Sequence, residues 1–233
     1  MTDWVRGAVV AGVLLAVTPL AGTGQIDQSV AEQYFKEARA LCERDGGRLW
    51  GISLCGPIVI GDPITRALVT SEPAPAAKPP AVLGFANAAL NWGGTRWTAL
   101  SWPRIPKDER LRARLLAHEL FHRIQPTLGL LLPDGENPHL DTTDGRYWLQ
   151  LEWRALAKAL ASDGQPARRA LDDALAFRQA RHAAFPDAAA SERVLEINEG
   201  LAQYTGTVLA AGSIDDAIAD AVAQLGEAAD APG

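Results

Sequence analysis

Basic clusters, cysteine-rich spacings and long apolar stretches are all missing from this chain, and each absence removes a class of function. No two Lys or Arg residues are adjacent except Arg168 and Arg169, and the formal charge is −6, with a pI near 5.2. A phosphate backbone would find no positive surface here, so nucleic acid is excluded as a partner. The only cysteines, Cys42 and Cys55, do not form a C-x-x-C pair, which removes a cysteine-coordinated zinc module. The longest apolar run near the start, residues 7–17, is well short of the ~20 residues of a membrane-spanning helix. Gly93-Gly94 is followed by no Lys-Ser/Thr pair, so it reads as a turn and not a phosphate loop. No internal repeat is visible.

What is present is ordinary globular material. With 233 residues, 48% of them hydrophobic, the chain is long enough to bury a core as one domain, expected over residues 25–233. Residues 1–24 stand apart: a short polar start, the apolar run, then small residues at 19–24. That three-part layout predicts a cleaved signal peptide and an exported protein, periplasmic or secreted. Asp3 and the lack of an A-x-A triplet depart from the layout and leave an uncleaved segment with transient membrane association as the alternative. Export favours a Cys42–Cys55 disulfide over two buried thiols.

The pattern predicts an α+β fold, with a small N-terminal antiparallel sheet followed by a mostly helical half. Residues 29–41 carry helical spacing behind a capping box of Ser29 and Glu32. Residues 48–69 read as short strands at 49–54, 58–60 and 67–69, and proline-rich 72–81 as an extended connection. The best later strand is 95–102, bounded by Gly93-Gly94 and by Pro103. Helices are expected at 108–125, 146–161, 166–184, 191–211 and 213–225, with an unanchored acidic end at 227–233.

His118-Glu119-Leu120-Phe121-His122 falls inside the helix expected at 108–125. Residues four apart share a helix face, so two imidazoles can close on one metal while Glu119 stays near a water that the metal holds. Of four histidines in the chain, two fall at that spacing, which argues against coincidence. A catalytic zinc needs a third protein donor, and the residues leave two glutamates open: Glu152, among Tyr147, Trp148 and Trp153, and Glu199. Glu152 has a competing role as half of an ion pair. His139, in a turn-rich loop, can be a donor to a cleft or an alternative ligand.

Together with Asn198-Glu199-Gly200-Leu201-Ala202, the H-E-x-x-H segment resembles the gluzincin metallopeptidases, the group that includes thermolysin and the alanyl aminopeptidases. The resemblance covers only these two helices. It implies zinc held by His118, His122 and Glu199, Glu119 as general base toward a zinc-bound water, and a peptide or protein substrate. The strand at 95–102 would by the same analogy form the sheet edge that binds an extended substrate. A donor for the oxyanion is still required, and Tyr204, five residues after Glu199, is the candidate, with a core aromatic as the alternative. Two departures stand out. Residues 123–198 make a far longer gap than the group usually has, and Gln203 stands where thermolysin-like chains place an aspartate that orients a zinc histidine. Two rival readings follow from the same residues: an inactive zincin-like binding or scaffold protein, and a structural zinc protein in which Glu152 and Glu199 both close the site.

Overall fold

The computed structural model describes residues 25–133 and 135–231. The expected signal peptide, 1–24, lies outside them. The described chain is α+β and falls into two compact units.

One unit takes residues 25–131 and 201–210. Its first helix, α1 (Gln28–Asp45), starts at Asp27, whose carboxylate accepts from Ser29 N at 2.9 Å and Val30 N at 3.2 Å. The expected capping box at Ser29 is therefore corrected: Ser29 donates its own hydroxyl to Asp27, and the charged acceptor two residues earlier answers the free N–H groups. Gly46, at φ 55°, closes the helix. Residues 49–54 are turn, bend and irregular loop and not a strand, because Gly47 and Gly51 sit at positive φ and Asp45 holds the amides of Gly47 and Leu49. A disulfide joins Cys42 to Cys55 and ties this loop to α1.

Strands β1 (Ile58–Gly61), β2 (Leu68–Thr70), β3 (Ala88–Trp92) and β4 (Thr95–Ser101) form one sheet in the order β2-β1-β4-β3. The sheet is mixed, not antiparallel as expected, since β4 runs parallel to β1. The proline-rich connection brings β3 in at the far edge, and the hairpin over Gly93 (φ 60°) and Gly94 (φ 82°) returns β4 into the place beside β1. The edge strand on this side is thus β3, and the expectation that 95–102 forms the edge is corrected. Alternation divides the faces: Val59, Trp97 and Ala99 pack with Leu83 and Trp92, while Ile58, Ile60 and Leu100 join the core formed with the helices.

That helical side contains α2 (Glu109–Ile124) and α6 (Leu201–Ala210). Asp108 caps α2 by accepting from Leu111 N at 2.9 Å. Its buried stripe, Leu116, Leu120, Phe121 and Ile124, meets Tyr34, Leu41 and Leu54 in one core. The two helices approach closely because Gly206 offers no side chain, and a Cβ there would come within 2.7 Å of Arg114 O. Trp50 wedges beside both, tilted against Phe121 with ring centroids 4.9 Å apart and donating its indole N–H to Thr205 Oγ1 at 3.0 Å. The tryptophan belongs to the loop that the disulfide closes.

The other unit, residues 132–200 and 211–231, is helical: α3 (Thr143–Leu160), α4 (Gly164–Ala184), α5 (Ala188–Leu195) and α7 (Ile214–Asp230). The single helix expected at 191–211 is broken, because a π-helical turn, Glu196–Gly200, separates α5 from α6. The expected unanchored end is also corrected: α7 continues to Asp230, where Arg154 binds Ala229 O at 2.8 Å and the Asp230 carboxylate at 3.0 Å. No helix among the described residues is long and apolar enough to cross a membrane.

Candidate metal centre

Helical spacing puts His118 and His122 one turn apart on α2, with ring centroids 4.8 Å apart and their Nε2 atoms at 3.0 Å. A tetrahedral zinc with bonds of 2.0–2.1 Å holds two nitrogens about 3.3 Å apart, so a small opening of the pair would admit the ion. The third member is Glu199. It belongs to the π-helical turn, and Gly200 (φ −63°, ψ −41°) continues helical backbone from that turn into α6. The carboxylate is therefore carried at the head of α6. His118, His122 and Glu199 each offer a ligand atom within 4.8 Å of the others. A π-helical turn adds a residue to the helical repeat and re-aims the side chains it carries, which is why such turns recur at functional sites.

The histidine pair is oriented by a residue that sequence reasoning passed over. Gln125 is fully buried and lies 3.0 Å from His122 Nδ1 through Oε1, while its Nε2 donates to Leu130 O at 3.1 Å. Since the amide nitrogen is committed to a carbonyl, the amide oxygen must face the imidazole, and His122 Nδ1 must carry the proton. The Nε2 atom of His122 then keeps its lone pair on the side of His118 and Glu199, as a metal ligand requires. The resemblance pointed to position 203 for this role; Gln125 fills it for His122. The signal was available, because Gln125 is three residues beyond His122 on the same helix.

Glu119 is buried at 5% exposure on α2 beside His118. Asn198 precedes Glu199 and pairs with both backbone groups of Leu132: its Oδ1 accepts from Leu132 N at 3.2 Å and its Nδ2 donates to Leu132 O at 3.0 Å. Tyr204 is half exposed at 51% and meets Trp50 edge-on at 6.4 Å, so the core-aromatic alternative is set aside. Arg123 sends Nη2 to the carbonyls of Leu54 and Cys55 at 3.0 and 2.6 Å, which Gly56 permits by having no Cβ against the guanidinium.

Two other candidates fall elsewhere. Glu152, the rival ligand, is 2% exposed and is committed to arginines: Arg178 Nε donates to its Oε1 at 2.8 Å, and Arg181 Nη1 faces its Oε2 at 2.7 Å. A buried acid needs such partners, and two cations offset its charge, although Oε2 meets Arg181 Nη1 as an ion pair and not as a well-aligned hydrogen bond. His139, the other alternative, is buried with Nε2 2.6 Å from Glu192. Glu192 also receives Arg181, bidentate at 2.6 and 2.8 Å, and His182 at 2.9 Å. Burial pushes this carboxyl up, but Arg181, His182 and His139 outweigh it and hold the group down at about 2. These charges brace the helical unit.

The donor set left for a metal among the described residues is thus two imidazoles and one carboxylate, which could hold a metal ion. No family model matches the chain, and comparison with curated proteins and with solved structures likewise yields no match.

Proposed function

We propose that the protein is an exported zinc metallohydrolase, a peptidase of gluzincin type. The observation that carries this reading is the grouping of His118, His122 and Glu199 within ligand distance, with Glu119 next to His118 on the same helix. Gln125 adds support, since it leaves the His122 lone pair available for a metal. Glu152, engaged by Arg178 and Arg181, supplies no fourth ligand, which favours catalysis over a purely structural zinc.

Zinc, when bound, would act as a Lewis acid that polarises a carbonyl and lowers the pKa of water toward ~7. In this reading His118, His122 and Glu199 hold the ion, and Gln125 keeps His122 in the tautomer that binds. Glu119 takes a proton from the attacking water and delivers it to the leaving amine. Its burial keeps bulk water from competing for that proton. Tyr204 is the candidate donor to the oxyanion: it is exposed and its ring is steadied by Trp50. Export is supported by the Cys42–Cys55 disulfide, which persists in oxidising compartments.

The test is cleavage of a broad peptide library by protein with one zinc per chain, repeated after chelation and after restoring zinc. Cleavage that vanishes and returns with the metal supports the reading. A zinc-loaded protein that cleaves no peptide or ester overturns the hydrolase.

A further inference from the structure

We propose that a single halide-sized anion binds between β4, the Gly56–Pro57 segment and the C-terminal end of α2, held by Arg96, Thr98 and Arg123. The sheet alternation puts Arg96 and Thr98, two residues apart on β4, on the face that carries Leu100 toward the helices. Arg96 reaches the end of α2, where its Nη2 donates to His122 O at 3.5 Å. Arg123 is the next residue of α2, and its Nε would lie 2.3 Å from a Cβ at Gly56. Thr98 is tied to the same segment, since its amide donates to Pro57 O at 3.0 Å.

Three buried polar atoms in this region lack a hydrogen-bond partner: Arg96 Nε, Thr98 Oγ1 and Arg123 Nε. Thr98 is wholly buried. Unmade hydrogen bonds on buried donors are costly, and two of these donors belong to guanidinium groups. Neither arginine meets a carboxylate among the described residues: Arg96 bonds only a carbonyl, and Arg123 bonds the carbonyls of Ser53, Leu54 and Cys55. Two like charges brought together without a counter-charge repel each other. One monovalent anion answers all three donors and offsets one of the two positive charges while attracting both guanidiniums. Water would accept at most two of the donors and would leave the charges uncompensated. The enclosed donors favour a halide over an organic acid.

The anion would also brace the helix that carries the metal ligands, because Arg96 bonds the carbonyl of His122 itself. The inference does not depend on the zinc reading, and its test uses no metal.

The experiment is a bromide titration of the full chain in chelator, at constant ionic strength balanced with gluconate, followed by thermal unfolding. A saturable rise in midpoint is expected, with roughly tenfold or greater weakening in Arg96→Gln, as suits the loss of one charge-assisted hydrogen bond. Crystals of the unaltered protein grown in bromide should show an anomalous peak among Arg96, Thr98 and Arg123, a readout that needs no variant. A flat titration, or a peak absent and replaced by water, overturns the proposal. Displacement of bromide by equimolar acetate overturns the halide assignment.

Discussion

Replacing Gln125 with leucine tests how the ligand geometry is held. In the structure the amide accepts from His122 Nδ1 at 3.0 Å and donates to Leu130 O at 3.1 Å, and the Gln125 side chain itself has no solvent contact. Leucine has nearly the same volume, so packing is preserved while a ring N–H and a carbonyl lose their partners. Each orphaned group costs about 1–3 kcal/mol. His122 can recover part of that by moving its proton to Nε2, and that proton then occupies the lone pair that faces His118. Zinc affinity should fall about 10- to 100-fold, the usual effect of removing a group that orients a metal ligand, or about 1.4–2.8 kcal/mol. Competition with a chromophoric chelator at pH 7 measures this, and thermal unfolding of the metal-free protein reports the stability cost separately. Gln125→Glu keeps an acceptor on His122 and should lose far less zinc affinity. If the leucine variant bound zinc as tightly as the parent, or the glutamate variant failed equally, Gln125 would not set the tautomer.

Three further outcomes are expected. Glu199→Ala should weaken zinc binding strongly in the same chelator competition, whereas Glu152→Ala should leave it near the parent value and destabilise the fold by about 3–5 kcal/mol in a urea titration, because Arg181 then loses a buried partner; the reverse order would make Glu152 the ligand. Unreduced protein should show no free thiol by mass spectrometry, and Cys42→Ser with Cys55→Ser should cost about 3 kcal/mol in the same titration, as the closed loop implies; unchanged stability would show that the bond adds nothing. Glu192 has its carboxyl held near 2 in the folded chain against 4.5 as its ordinary value, so the unfolded chain takes up its proton first as pH falls. The stability it supplies is present above about pH 4.5 and is lost progressively toward pH 2. Glu192→Gln should flatten the pH dependence of stability in that window, and an unchanged acid profile would contradict the assignment.

The motif helix was legible because its evidence is local: Asp108 ahead of the apolar stripe, histidines one turn apart, and Pro126 after the end. The sheet was legible in part. Residues 58–60 and 95–101 announce strands by their β-branched and aromatic content, but Ala88–Trp92 is alanine-rich and does not, and without β3 the parallel pairing of β1 with β4 cannot be inferred. The π-helical turn is silent for a related reason, since Glu196–Gly200 contains nothing that forbids an ordinary helix. The choice of Glu199 over Glu152 rested on resemblance alone, and spatial grouping now provides a second argument. The partners that remove Glu152 and His139 from consideration could not be read at all. Arg178 and Arg181 lie on the next helix, and Glu192 is 53 residues from His139, so only the fold brings them together.

The measurement closest to the central claim is zinc content by elemental analysis alongside peptide cleavage, for the parent and for Glu119→Gln. The account predicts one zinc per chain in both proteins and cleavage only in the parent. Equal cleavage by the two would remove Glu119 from the chemistry, and no zinc in either would contradict the metal centre itself.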